Sequence, residues 1–325
     1  MGLGWRRLGA SDSAAAAALL VEAHARSRAL GVDFPAARAN ADDVASALAA
    51  GVALMAAASP DGPPVAMGAL WPDGEIGWLA VAEGMAGRGL GNACLLALEG
   101  LALALGHERV YLRTASAHPW LAAWYRRHGY ADAAGAGGGC DLRLVRDLGT
   151  WRPAVRARCA WSESDARMAA YHDYEWGLWV ESERDLFERL SLEVFQTGLS
   201  WRTVLTKRAA LREGLLGFEP LRLEAAGDAE EARFLAADGV IRSPQKFRAI
   251  VHNAAAVRAL AASHGSFARF LRGCAADNLY AELRPRLRYL GPTVARSFFE
   301  SVGLVPAPHG GGCPDAQVPC AGIEA

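Results

Sequence analysis

Four residues of metal-ligating type stand toward the two ends of the second half of the chain: Cys159 and His172 at its start, His309 and Cys313 at its end. Only Gly310, Gly311 and Gly312 separate His309 from Cys313, and so bare a backbone can bend both donors onto one point. A structural zinc takes four ligands from Cys and His, and the two segments together supply that number. The order Cys, His, His, Cys is not that of a short zinc finger, so a metal here would tie the ends of a domain together. A chance scatter of a buried Cys and a surface His would give the same spacing, and the spacing alone leaves both readings open.

A second constellation is acidic and aromatic. Leu186, Leu190, Glu193 and Thr197 recur at helical spacing, and Trp201 follows on roughly the same face. A carboxylate on an apolar stripe is costly unless it has a partner. That partner is either an arginine of the chain or a ligand, and a cationic ligand would gain both ion pairing and cation–π attraction. A third feature is the run "IGWLAVAEGMAGRGLGNACLLALEGLALALG", a strand, a glycine-rich turn and a helix. Its glycines at 87, 89 and 91 allow a tight bend that aims free N–H groups at a pyrophosphate above the helix N-terminus.

The elements that must position these groups fall into two halves. A chain of 325 residues exceeds one ordinary core, so two domains are expected. Residues 1–147 carry the β-like runs "GVALMAAA", "VAMGALW", "IGWLAVA" and "RVYLRTA", with helical stretches at Ser13–Leu30, Leu90–Leu105 and Leu121–His128. Strands mixed with helices predict an α/β domain around one sheet. A glycine cluster, a last strand and a Pro-bearing connector place the linker at 148–157. From 158 to 325 apolar residues recur at helical period, which predicts a mostly α domain.

Apolar residues make up 52% and charged residues 21%, a globular composition with no apolar stretch of membrane-spanning kind. Six cysteines without repeating spacing exclude a disulfide scaffold, and no signal peptide follows Arg6 and Arg7, so the cytoplasm is the expected location. The net charge of −1 hides an asymmetry. Between Gly239 and Arg296 lie Arg242, Lys246, Arg248, Arg258, Arg269, Arg272, Arg284, Arg286, Arg288 and Arg296, opposed in that stretch only by Asp277 and Glu282. Such a run is either a solvated face or a nucleic-acid footprint.

The blocks "RCAWSESDARMAAYHDYEWG", "LSLEVFQTGLSWRTVLTKR", "DGVIRSPQKFRAIVHNA", "GPTVARSFFESVGLV" and "HGGGC" resemble, in the same order, bacterial DNA-3-methyladenine glycosylase I. The resemblance implies an all-α helix-hairpin-helix domain that flips 3-methyladenine out of alkylated double-stranded DNA and hydrolyses its N-glycosidic bond. It implies a structural zinc on Cys159, His172, His309 and Cys313. It makes Glu193 the reader of the cationic base, with Tyr171 and Trp201 stacking on it and Trp161 in the pocket wall. DNA would be gripped at the hairpin by backbone N–H groups near Gly239, with Lys246 and Arg248 adding charge, while Leu199 wedges into the gap left by the base. Met168 departs from the tyrosine common in the family. No carboxylate occurs from Gly239 to Ala276, which fits a cationic, labile leaving group.

The first half, with "VYLRTASAHPWLAAWYRRHGY" after its glycine loop, resembles the GNAT N-acetyltransferase superfamily over about residues 5–145. The resemblance implies a mixed sheet with helices, acetyl-CoA lying over Ala80, Val81, Ala86, Gly87, Arg88, Gly89 and Gly91, and Tyr125 protonating the departing thiolate. Ala86, Ala82 and His118 depart from the usual Gln or Arg, Pro and Asn. The acetyl acceptor is unknown; Glu75, Glu83 and His118 are the candidate bases. Two other readings stay open: a zinc-stabilised DNA-binding module without catalysis beside a CoA-sensing domain, and an acetyltransferase targeted to DNA. Cys94, Cys140, Cys274 and Cys320 have no assigned role.

Overall fold

The computed structural model describes residues 3–29, 31–32, 34–59, 62–116, 118–133, 141–310 and 313; Cys140 and Cys320 lie outside these. The chain divides into two compact units, Met1–Leu103 with His107–Ala154, and Ala104–Gly106 with Val155–Ala325.

In the first unit the elements run β1 (Gly4–Arg7), α1 (Ser13–Ala29), α2 (Ala41–Ala49), β2 (Ala53–Ala58), β3 (Ala66–Leu70), β4 (Ile76–Val81), α3 (Leu90–Ala104), β5 (Arg109–Ala115), α4 (Pro119–Arg127), β6 (Ala131–Asp132) and β7 (Asp141–Asp147). β1 to β4 pair antiparallel in sequence order, and a second sheet has the order β5-β7-β6. Every residue of β2 and β3 is buried, so these strands read as continuous apolar runs. β1, α2 and β6 escape a reading by pattern. β1 is "GWRR", whose register against Met55–Ala58 comes from its partner, and α2 starts from a capping box between Asn40 and Asp43.

Between the two sheets, β4 and β5 meet at a single parallel bridge, Glu75 with Tyr111. Past that bridge no ladder joins them among the described residues, so β4 has one edge, toward Ala80 and Val81, with no strand on it. The first unit also claims part of the expected linker. Leu148 and Trp151 are fully buried in it, and Trp151 Nε1 donates to Leu96 O at 3.3 Å.

The second unit is helical: α5 (Ala166–Tyr174), α6 (Glu183–Gln196), α7 (Trp201–Gly214), α8 (Pro220–Glu224), α9 (Asp228–Ala236), α10 (Pro244–His264), α11 (Phe267–Gly273), α12 (Ala276–Leu283) and α13 (Pro292–Ser301). α6 is its centre, packed against α7, α10 and α13, and residues 186–195 are all buried. The periodic stretch that includes Glu193 and Trp201 is broken. Thr197 ends α6, Gly198 turns at φ +80°, and the Ser200 side chain caps α7 by accepting from Thr203 N. Buried charges are matched inside this unit: Arg208 reaches Glu175 at 2.6 Å and Glu188 at 2.7 Å. Despite burial, these guanidinium contacts and Arg212 hold Glu188 down at about 2.

Candidate active site and metal centre

Helix α6 places Glu193 at 1% exposure in the second unit's interior. Ser297, from α13, hydrogen-bonds its carboxylate, while Oε1 is buried with no partner. Burial pushes Glu193 up to about 8, against the Ser297 hydrogen bond and with help from the nearby Glu300 charge. Among the described residues no arginine pairs with this carboxylate, and Arg189 and Arg208 are committed to Glu175.

Aromatic rings surround the same region. Tyr171 on α5 is 3% exposed, and its ring stands 5.3 Å from that of Trp201 at an angle of 39°. Trp201 therefore reaches the pocket from the first turn of α7, not along the face of α6. Burial and then the charge of Glu193 push the Tyr171 hydroxyl well up, which locates it close to that carboxylate. Trp161, 37% exposed, lies 6.3 Å from Tyr171 and 5.0 Å from Trp176 between ring centroids. Ser297 and Trp176 are members of this site that pattern reading missed. A lone serine on a distant helix carries no signal of its partner.

Behind this wall the four metal-ligating residues converge. One ligand atom from each of Cys159, His172, His309 and Cys313 lies within 4.8 Å of the others. Cys313 Sγ is 3.5 Å from His172 Nε2 and 3.4 Å from His309 Nδ1, and Cys159 Sγ is 3.6 Å from His309 Nδ1. Tetrahedral bonds of zinc to sulfur and nitrogen put such neighbours about 3.5 Å apart. His172 Nδ1 bonds Asp173 Oδ1 at 2.9 Å, which directs Nε2 at the cluster. Arg158 grips the same carboxylate at 2.6 Å, and Gly310 N donates to Cys159 Sγ at 3.2 Å. Trp176 links the centres, 4.8 Å from the His309 ring.

The hairpin between α9 and α10 turns at Gly239, with φ +79° and only 3.0 Å from an added Cβ to Ala210 Cβ, so no other residue fits without displacement. Ser243 Oγ caps α10. Both of its charges have partners within the fold, and Arg248 keeps its side chain 65% exposed. Lys246 Nζ donates to Phe195 O at 2.9 Å and Thr197 O at 2.8 Å, capping the end of α6 instead of facing outward. Arg248 is held in two 2.8 Å bonds by Glu231. Arg258, Arg272 and Arg296 likewise meet Glu224, Glu181 and Glu300. The tertiary fold supplies carboxylates that the local sequence lacks. Leu199, in the turn that Lys246 holds, is half-buried against the core.

In the first unit, Gly87 and Gly89 have φ of +75° and +80° with open space where a Cβ would stand, so backbone conformation and not packing demands glycine. They precede the N-terminus of α3. Ala86 and Arg88 are exposed in this loop, and Gly91 lies in the first turn of α3, where an added Cβ would stand 4.0 Å from Val81 Cγ2 at the end of β4. Tyr125 is 7% exposed on α4, and burial, then Cys94 nearby, push its hydroxyl up, keeping it a proton carrier. Of the candidate bases, Glu75 is paired with Arg113 at 2.9 Å and Glu83 is exposed. His118 is 3% exposed with Nε2 unpartnered, stacked on Phe34 at 5.9 Å.

A helical unit with a buried acid pocket follows an α/β unit with a glycine loop, and comparison with known proteins divides the chain in the same way. A family model described as methyladenine glycosylase matches residues 161–285, and one described as acetyltransferase (GNAT) family matches residues 22–130. The chain is 32% identical over 170 residues to DNA-3-methyladenine glycosylase 1 of Escherichia coli (strain K12), covering 46% of this chain and 91% of that protein. It is 30% identical over 173 residues to DNA-3-methyladenine glycosylase of Haemophilus influenzae (strain ATCC 51907 / DSM 11121 / KW20 / Rd), covering 46% of this chain and 94% of that protein. A crystal structure of 3-methyladenine DNA glycosylase I is 35% identical, with TM-score 0.44 over 48% of this chain and 98% of the other. The chain belongs to the methyladenine glycosylase family and carries a GNAT-family domain ahead of that part. No helix among the described residues is long and apolar enough to cross a membrane.

Proposed function

We propose that the second unit excises 3-methyladenine from alkylated duplex DNA. The observation that carries this reading is the buried Glu193 carboxylate, near enough to Tyr171 for its charge to act on that hydroxyl, with Oε1 lacking any partner among the described residues. An orphaned carboxylate oxygen is costly in an apolar site, and a cationic base restores the missing interaction. Neutral adenine does not.

The flipped base enters between Tyr171 and Trp201, with Trp161 at the open side, and Glu193 stabilises its positive charge and the developing charge on the sugar. The C1′–N bond breaks with its electron pair going to the base, which leaves neutral without being protonated. Water adds at C1′ and loses a proton, leaving an abasic site. Leu199 fills the vacated stack, and backbone N–H groups of the Gly239 hairpin hold a phosphate. The Cys159, His172, His309 and Cys313 donors fit zinc in type and spacing; when bound it supplies a fixed cross-link between the first and last segments of the unit. With four protein ligands, it leaves no position for a reacting water.

Chromatography of bases released from methylated duplex DNA tests the reading. We expect 3-methyladenine and no 7-methylguanine; absence of release by folded, metal-loaded protein would remove it.

The first unit, on the same terms, binds acetyl-CoA and transfers its acetyl group to an acceptor. Its support is the unpaired edge of β4 at Ala80 and Val81 beside the glycine loop, which offers backbone groups to the pantetheine and N–H groups to the pyrophosphate. Tyr125 then protonates the thiolate. Gly89→Val places a β-branched residue at φ +80°, so titration calorimetry is expected to show at least about tenfold weaker acetyl-CoA binding. Unchanged binding would dismiss this loop as the phosphate site.

A further inference from the structure

The first unit holds buried polar atoms that nothing in the chain satisfies. His118 is 3% exposed with Nε2 lacking a partner among the described residues, and the buried Thr114 Oγ1 lacks one too. As the N-cap of α4, His118 makes no side-chain cap bond either. His24 and His128, by contrast, each bond a carbonyl one helical turn back at 2.8 Å. An imidazole nitrogen left bare in an apolar site costs free energy that an N–H donor from outside would recover. Two orphaned atoms on one short stretch mark a place built for something the chain does not itself supply.

That stretch lies past the bridge between Glu75 and Tyr111, where β4 and β5 no longer pair. Counted along the two strands from the bridge, Ala80 and Val81 stand roughly level with Ala115 and Ser116. His118 therefore follows at the open end of the gap. Tyr125 lies seven residues further along α4, two turns and about 10 Å away on the same face. That spacing lets an imidazole and a phenol reach opposite ends of one reacting group.

The surroundings of His118 are flat and apolar. Phe34, from the turn after α1, stacks on its ring at 5.9 Å and 28°. Trp120, in the first turn of α4 and 61% exposed, lies 5.7 Å from it between ring centroids. A presented indole beside a buried, orphaned imidazole suits a ligand that is aromatic at one end and a hydrogen-bond donor at the other. Charge adds a sign. Glu83 lies just past the end of β4, and Glu22 of α1 accepts from Glu83 N at 2.9 Å, so two exposed carboxylates stand there. Neither forms an ion pair among the described residues, and together they favour a cation approaching from solvent.

We propose that Phe34, His118 and Trp120 form the acceptor site of the first unit, and that the acceptor is a primary amine borne on an aromatic ring. The ring packs against Phe34 and Trp120, and the amine donates to His118 Nε2. Once the ammonium has lost a proton to solvent, its lone pair forms the new bond to the acetyl carbon. The C–S bond breaks with its electron pair going to sulfur. His118 takes the proton that the nitrogen sheds, Tyr125 gives one to the thiolate, and solvent restores both groups. The proposal rests on the acetyltransferase reading of the first unit.

The test uses the full chain, acetyl-CoA and two probe amines, 2-phenylethylamine and n-butylamine, with the released CoA thiol followed by absorbance. kcat/KM is expected to be at least about tenfold higher for 2-phenylethylamine, a margin within reach of one packed ring. Trp120→Ala, at an exposed position, should raise KM for that amine about fivefold with kcat within about twofold. His118→Asn should lower kcat about 10²-fold, while acetyl-CoA affinity by titration calorimetry on the same sample stays within about twofold. Acetyl-CoA binding without preference for 2-phenylethylamine, including acetylation of neither amine, overturns the acceptor class. Unchanged kcat in His118→Asn overturns its contact with the amine, and unchanged KM in Trp120→Ala removes the ring wall. Should His118→Asn fail to fold, Trp120→Ala and the amine preference still decide the acceptor class. Folded wild-type protein that binds no acetyl-CoA would instead fail the acetyltransferase reading.

Discussion

Glu193→Gln is expected to lower single-turnover release of 3-methyladenine by about 10²- to 10³-fold while leaving binding of undamaged duplex within about twofold. Glutamine keeps the shape and can keep the Ser297 bond, so the substitution removes charge and little else. In the empty pocket burial raises Glu193 to about 8, so at neutral pH the group is mostly protonated. A cationic base favours the ionised form and lowers that value again. Entry of the lesion should thus release a proton, and neutral adenine should release none. Discrimination comes from this coupling more than from shape.

The same shift provides a control for folding. The folded value lies above the roughly 4.3 of an unfolded Glu, so the native state holds the proton more tightly. That contribution is fully present below pH ~4.3 and is lost as pH rises through about 8. The Gln variant has no such loss. Its thermal midpoint relative to wild type should therefore be higher at pH 9 than at pH 6. Full excision by a folded Gln variant would end the assignment of Glu193 as reader of the cation.

Removal of the metal should act on stability and not on chemistry. Chelation, or Cys159→Ser, is expected to lower the midpoint of the second unit by at least about 10 °C, and differential scanning calorimetry should show the first unit's transition unmoved. Structural zinc contributes on the order of 10 kcal/mol of apparent binding energy in small domains, and about 1 kcal/mol shifts a domain of this size by about 2–4 °C. The effect is tempered because α6, α10 and α13 build an apolar core that needs no metal. Residual folded protein at low temperature should keep its excision rate per molecule, since four protein donors leave no reactive position. Elemental analysis should give about one zinc per chain; a metal-free, equally stable protein would show that the four donors serve another purpose.

Several groups reached their sites by arguments available in one dimension. Glu193 stood out because a carboxylate at apolar spacing violates the pattern around it, and burial with an orphaned oxygen is the three-dimensional form of that violation. The Cys and His set was legible because these residue types are sparse in the chain and their ligand chemistry is specific. Gly87 and Gly89 were legible as positions where the backbone bends tightly, and both have positive φ. These are local properties, since residue type, periodicity and backbone freedom are written within a few positions.

Pairings across the fold were not legible. The partners of Lys246 and Arg248, carbonyls at the end of α6 and a carboxylate on α9, lie outside any local window. The same blindness inflated the basic stretch, because Arg248, Arg258 and Arg272 meet Glu231, Glu224 and Glu181 from outside it. Trp201 was assigned to the pocket for a reason the chain does not follow, because a turn at Gly198 starts a new helix before it. Ser297 and Asp173 carry no sequence signal at all. Sequence determined which chemistries this chain can perform, through residue types and their spacing. Folding decided which charges stay free to perform them, because Coulomb and hydrogen-bond partners are chosen by distance in space and not by distance along the chain.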